Sequence, residues 1–195
     1  MSSDPHYERL RAAYEAGEPA LTIELGKLYL ARDPEDFGAL MWYGMALEDV
    51  ARYAEARATY DRALAIAEFS ARVLVQRQLG HLHENRSEVA EAEAWYLKAI
   101  EGAPDAAQGY VYLGGLLAKN GRLEDAERVM RRGVSCTEGP VEEAWFNLGL
   151  VLRARERYLD ALECFRTAVG LDAVYEAALD ALHDVEQVLF HFPEA

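Results

Sequence analysis

Several groups of side chains carry types that do chemistry, and each is judged by spacing. His81-Leu82-His83-Glu84 places two imidazoles and a carboxylate within four residues, the donor types of a zinc site. Residues two apart on a helix do not share a face, and the helical zinc signature His-Glu-x-x-His is absent. The spacing therefore turns His83 to the core and leaves His81 on an inner surface. His183 and His191 stand eight apart near the C-terminus without a third ligand at a fitting step. Cys136 and Cys164 form no CxxC pair, and neither has the basic or helix-start neighbours that lower a thiol pKa. Glu88, Glu91 and Glu93 read as a solvated helix face. The glycines follow neither GxGxxG nor GxxxxGK[ST], so no phosphate loop is supported. No constellation carries catalysis, and the expectation is a non-enzyme without metal or cofactor.

The elements that position these residues repeat. Glycines recur at Gly44, Gly80, Gly114 and Gly149, at spacings of 36, 34 and 35. Twelve residues after each stands Ala56, Ala92, Ala126 or Ala161, and four further on Tyr60, Tyr96, Met130 or Phe165. Three more bring Ala63, Ala99, Gly133 or Ala168, and Tyr43, Leu79, Leu113 or Leu148 precedes each glycine. A small residue on one helix and an alanine on the next let two axes approach closely, and the large side chain fills the groove beside them. Apolar residues at helical spacing predict helices over Phe37–Val50 and Tyr53–Ile66. Turns are predicted at Ala51-Arg52, Arg86-Ser87, Asn120-Gly121-Arg122 and Arg155-Glu156, with Asn-Gly the clearest. Pro104 and Pro140 separate one copy from the next.

The bulk numbers fit a soluble protein. Of 195 residues 51% are hydrophobic and 28% charged, enough for a core and against disorder. The net charge of −14 repels nucleic acid and anionic membranes and favours basic partners or simple solubility. No apolar run approaches a membrane span, the N-terminus does not read as a signal peptide, and two unpaired cysteines suit a reducing compartment. A cytoplasmic location follows as the expectation.

The motifs resemble the tetratricopeptide repeat (TPR) family, most fully at Trp145, Leu148, Gly149, Leu152, Ala161, Phe165 and Ala168. Gly133 for alanine and Glu68 for the closing proline depart from its pattern. The resemblance implies an all-α, right-handed superhelical stack of about five helical hairpins in a single domain, 1–195. A degenerate copy spans 3–36, with Leu10 at the glycine position and Thr22 at the alanine position. Regular copies span 37–70, 73–106, 107–140 and 142–175, and an acidic amphipathic helix over 174–192 caps them.

In such a stack the first helix of each hairpin lines a concave surface. By register, the resemblance places there Tyr7 and Arg11; Met41, Trp42 and Met45; Leu74, Arg77, Gln78 and His81; Gln108, Val111, Tyr112 and Gly115; and Glu143, Phe146, Asn147 and Leu150. The lysines of the family's carboxylate clamp are missing, which points to an extended or helical segment with apolar anchors. Three readings stay open: an adaptor or scaffold binding a protein or peptide in that groove, an acidic chaperone for a secreted or aggregation-prone client, and a protein that self-assembles through the apolar face of the last helix, Val185 and Leu189 included.

Overall fold

The computed structural model describes residues 4–192. Among them are eleven helices: α1 Pro5–Glu15, α2 Pro19–Leu30, α3 Phe37–Asp49, α4 Tyr53–Ile66, α5 Phe69–Asn85, α6 Val89–Gly102, α7 Ala107–Lys119, α8 Leu123–Gly133, α9 Val141–Ala154, α10 Tyr158–Leu171 and α11 Glu176–His191. They pair as five antiparallel hairpins followed by α11. The chain divides into two compact units between Gly102 and Ala103, the first holding α1–α6 and the second α7–α11. The helix α5 starts at Phe69, four residues ahead of the expected copy, because Glu68 replaces the closing proline and the linker shrinks to Ala67 and Glu68.

All five hairpin turns share one mechanism. Gly17, Ala51, Ser87, Gly121 and Glu156 each adopt left-handed backbone, with φ from +58° at Glu156 to +75° at Gly121. Each amide reaches back three residues, and the next amide reaches back five: Ala51 N–H donates to Glu48 O at 2.8 Å and Arg52 N–H to Leu47 O at 2.8 Å. The same two bonds recur at the other four turns. This Schellman geometry satisfies carbonyls that a helix end leaves open. Three of the five positions hold a residue with a Cβ, which favours this backbone less than glycine does.

Inside the hairpins, a small residue faces a large one. A Cβ on Gly44 would lie 2.5 Å from Tyr60, and one on Gly149 would lie 2.5 Å from Phe165; Gly80 against Tyr96 and Gly114 against Met130 are as tight. Tyr60, Tyr96, Met130 and Phe165 are fully buried, each worth roughly 1.5–3 kcal/mol of transfer free energy. Where the large residue is Tyr, its hydroxyl finds a carboxylate four residues after the glycine. Tyr60 donates to Glu48 at 3.0 Å and Tyr96 to Glu84 at 2.8 Å. Met130 and Phe165 have no hydroxyl, and the equivalent positions hold Ala118 and Arg153. The degenerate first hairpin reverses the sizes: Leu10 is buried at the glycine position and Gly26 stands where the others carry a large residue. Gly26 instead receives Tyr43 of α3, 2.7 Å from where its Cβ would be.

In the second unit, the buried carboxylate of Glu127 on α8 gathers three guanidinium groups. It accepts from Arg131 at 2.7 Å and from Arg157 at 2.8 Å, and pairs with Arg155. Burial opposes its ionisation, but the bonds from Arg131 and Arg157 outweigh that and hold its pKa below the ordinary 4.5. These contacts tie the α9–α10 turn to α8.

Gly80→Ala forces a methyl into the Tyr96 ring and lowers stability by about 1–3 kcal/mol. Gly115→Ala meets nothing within 4 Å and raises stability by about 0.5–1 kcal/mol, both read by urea unfolding. Glu127→Gln costs about 1–2 kcal/mol at neutral pH. A folded pKa below the unfolded one stabilises fully above the unfolded value and fades as pH falls through the folded value. The gap between wild type and Glu127→Gln therefore narrows below about pH 4.5, which urea midpoints against pH will show.

Candidate functional site

The first helices of the first unit, α1, α3 and α5, share one face with continuous side-chain contact. Trp42 of α3 lies between two tyrosines of α1, with ring centroids 5.0 Å from Tyr7 and 6.4 Å from Tyr14, the latter nearly parallel at 11°. One turn along, Met45 Sδ accepts from Tyr14 Oη at 3.5 Å and from Gln78 Nε2 of α5 at 2.7 Å. Next comes Glu48, 7% exposed. Its carboxylate takes the Tyr60 hydroxyl from beneath and, from α5, His81 Nδ1 at 2.6 Å and Asn85 Nδ2 at 2.8 Å. A carboxylate only accepts, so Nδ1 of His81 carries the proton in that bond. The strip runs from aromatic through thioether to polar, and Tyr7, Tyr14, Trp42, Met45 and Gln78 are all half-buried.

Burial raises the pKa of Tyr7, helped by Asp36, and that of Tyr14, helped by Asp49 and Glu48. Asp49 is raised by desolvation first and then by the Glu48 charge. Burial thus leaves the patch partly dehydrated, with Asp36, Glu48 and Asp49 beside its tyrosines and Arg11 and His81 opposing them.

Of the residues placed here by register, Tyr7, Trp42, Met45, Gln78 and His81 come together. Arg77 is half-buried on α5, as is Leu74. Arg11 is exposed and paired to Glu8 at 2.7 Å. Met41 does not reach the surface: at 3% exposure it packs among Leu40, Leu47 and their neighbours in the core. Tyr14, Glu48 and Asn85 belong to the strip yet escaped the register argument. The signal was present, because each lies seven, three or four residues beyond Tyr7, Met45 or His81 on the same helical face.

In the second unit the corresponding face is more filled. Val111 is 7% exposed against Ala107 and Ala144 and leaves the candidate set. Phe146 sits 5.9 Å from Phe165 and 5.0 Å from Tyr175, a packing residue against the approach to α11. Asn147 donates to its own helix at Glu143 O, 2.9 Å away. Leu150 packs half-buried beside the Leu148–Val185 cluster. Tyr112, Gln108 and Gly115 are half-buried on α7. Glu143 and Tyr175 are both raised, by burial first and by neighbouring acids second.

The other reactive side chains are spoken for. His83 is buried, with Nδ1 2.6 Å from Glu88 and Nε2 2.9 Å from Arg57, so both ring nitrogens are taken and it faces away from His81's partner. Burial pushes the Cys136 thiol up and that of Cys164 to about 11, the opposite of a nucleophile's requirement. Among the described residues no three His, Cys, Asp or Glu gather as a metal site.

Helical hairpins that close on small-to-large contacts define an α-helical repeat protein. Family models of the tetratricopeptide repeat match residues 6–71, 77–141 and 142–172. The chain belongs to the tetratricopeptide repeat family. Human tetratricopeptide repeat protein 7B is 33% identical over 124 residues, 64% of this chain and 14% of that protein. Human tetratricopeptide repeat protein 7A is 34% identical over 94 residues, 48% of this chain and 11% of that protein. The chain thus spans a small part of either relative. Among solved structures, YrrB, described as a TPR protein with an unusual peptide-binding site, aligns at TM-score 0.59 and 19% identity over 91% of this chain and 90% of its own. MamA from Desulfovibrio magneticus RS-1 aligns at TM-score 0.66 and 18% identity over 87% and 94%. At these identities the structures share the fold.

The Glu48 cluster sets an energetic expectation. Glu48→Ala leaves the buried Tyr60 hydroxyl without its acceptor and costs about 2–3 kcal/mol, whereas His81→Ala, at the exposed side, costs less than about 1 kcal/mol. Denaturant midpoints of the two variants distinguish a buried anchor from a surface contact.

Proposed function

We propose that the protein is a non-catalytic interaction module and that the α1/α3/α5 strip holds a peptide segment of a protein partner. The observation that carries this reading is the contiguous, half-exposed run Tyr7–Tyr14–Trp42–Met45 beside Gln78 and His81. Aromatic and methionine side chains supply large, adaptable contact. Buried Glu48 fixes His81 and Asn85 in place before a partner arrives, which reduces the ordering cost of binding. The carboxylates of Asp36, Glu48 and Asp49 near the strip, in a chain of net charge −14, favour a segment that carries Lys or Arg next to an apolar anchor. Membership in a family of interaction modules and the peptide-binding site described for YrrB support the same reading. We read its location as cytoplasmic; among the described residues no helix is long and apolar enough to cross a membrane. An acidic-chaperone role would use the same strip for a client.

A second reading is self-association through α11. Val185 is fully buried and Leu189 half-buried against α9 and α10, so the two residues first assigned to such contact hold the fold together. Among the described residues, the large apolar side chains exposed on α11 and its C-cap are Leu179, Phe190 and Phe192, at 41%, 77% and 65% exposure.

Affinity capture from source-cell lysate tests the main reading. Trp42→Ala/Met45→Ala, with helicity retained, is expected to bind the captured partner at least about tenfold more weakly, as loss of a central hot spot does. An exposed control on α6, Leu97→Ala, is expected to leave binding unchanged. Equal capture by all three proteins would move the site off this strip.

A further inference from the structure

The edge of the first hairpin that faces away from α3 has an unusual lining. One residue before the glycine position, the regular copies hold Tyr43, Leu79, Leu113 and Leu148; the first copy holds Arg9. Tyr43 packs on Gly26 of the hairpin before it, so this register is where one hairpin meets its predecessor. Where the second copy has Leu40, the first has His6. His6 and Arg9 of α1, Leu25, Leu28 and Tyr29 of α2, and Arg32 just past the end of α2 line a cavity of about 310 Å³. Leu28 is 68% exposed. Acidic residues outnumber Lys and Arg 34 to 20 in this chain, yet among the described residues neither Arg9 nor Arg32 pairs with a carboxylate. The surface combines exposed apolar side chains with two unpaired guanidinium groups, although Asp4 and Asp33 stand close enough to act on Tyr29 in its lining.

The matching surface is on α11. Ala178, Ala181 and Val185 face inward and are buried. On the outer side Glu176, Leu179, Asp180 and His183 follow at helical spacing, all exposed. Asp184 and Glu186 are occupied by Arg153 at 2.9 Å and Arg166 at 3.2 Å. Glu176 and Asp180 pair with no cation among the described residues. Residues 172–195 hold six acidic residues and no Lys or Arg.

We propose that the α1/α2 edge of one copy receives α11 of a second copy, with Glu176 and Asp180 on Arg9 and Arg32 and Leu179 against Leu25 and Leu28. This rests on the self-association reading and names the surface that accepts the helix. Donor and acceptor surfaces differ, so the contact is heterologous, and a joined pair leaves one donor and one acceptor surface free for further addition.

Light scattering and sedimentation of the full chain test it over about two decades of concentration. The expected result is a mean mass that rises past two copies and falls with added salt, since exposed ion pairs are screened. Arg9→Glu/Arg32→Glu and Glu176→Lys/Asp180→Lys, each placing like charges face to face, should associate at least about tenfold more weakly alone. Mixed in equal amounts they restore association, because both reversed surfaces then meet opposite charge. A monomer at every concentration, or growth that stops at a dimer, overturns the proposal. Association abolished by Leu179→Glu/Phe190→Glu but untouched by Arg9→Glu/Arg32→Glu keeps α11 as the donor and overturns the α1/α2 edge as its acceptor. Circular dichroism confirms retained helicity in each variant.

Discussion

The close contact between a small residue on the first helix of a hairpin and a large residue on the second governs the rest of the structure. Gly44, Gly80 and Gly149 leave room for the rings of Tyr60, Tyr96 and Phe165, which are fully buried there. Bringing the axes this close fixes which face of the first helix packs on the second and which is left open. The five identical turns then hold the two helices at that distance, each through one left-handed residue and two backbone bonds. Within each unit stability comes from hairpin contacts plus contacts between neighbouring hairpins, and the buried carboxylates Glu48 and Glu127 are each surrounded by donors.

Most of this fold was legible because it is periodic. The glycine, alanine and large-residue positions recur at fixed spacing, and the turns lie where the sequence breaks the helical pattern. The periodic signal did not reveal what happens within one copy. Ala51, Ser87 and Glu156 adopt a backbone that their side chains give no hint of, and the geometry is imposed by the repeat around them. The first hairpin hides its logic by exchanging the large and small positions, Leu10 for a glycine and Gly26 for a large residue. Helix α5 starts early because a missing proline leaves a short linker.

The candidate strip was half legible. Register placed Tyr7, Trp42, Met45, Gln78 and His81 on one face, and they meet there. Met41 and Val111, assigned by the same rule, are buried, because a residue beside the inward stripe faces the neighbouring hairpin when the helices pack closely. The polar end was missed for a different reason. Glu48 in a sequence reads as one more surface carboxylate of an acidic chain; its value appears only when Tyr60, His81 and Asn85 converge on it from two other helices. The Tyr-to-Glu correspondence in the second and third copies, absent where Met130 and Phe165 replace Tyr, was the available clue.

The contact strip and the α11 surface make separate demands on the molecule. The strip needs preorganised side chains on rigid helices, which the Glu48 cluster supplies. The proposed contact between copies needs charge of opposite sign, which Arg9 and Arg32 on one side and Glu176 and Asp180 on the other would supply. The most direct test of the central claim, that the α1/α3/α5 strip is where a partner sits, is site-specific photo-crosslinking in the source cell. A photoreactive residue is placed in turn at Tyr14, Met45 or Gln78, and at Leu97 or Leu159 as exposed controls. The account predicts one shared protein adduct from the three strip positions and none of it from the controls. That same adduct from Leu97 or Leu159, with the strip positions silent, would contradict it.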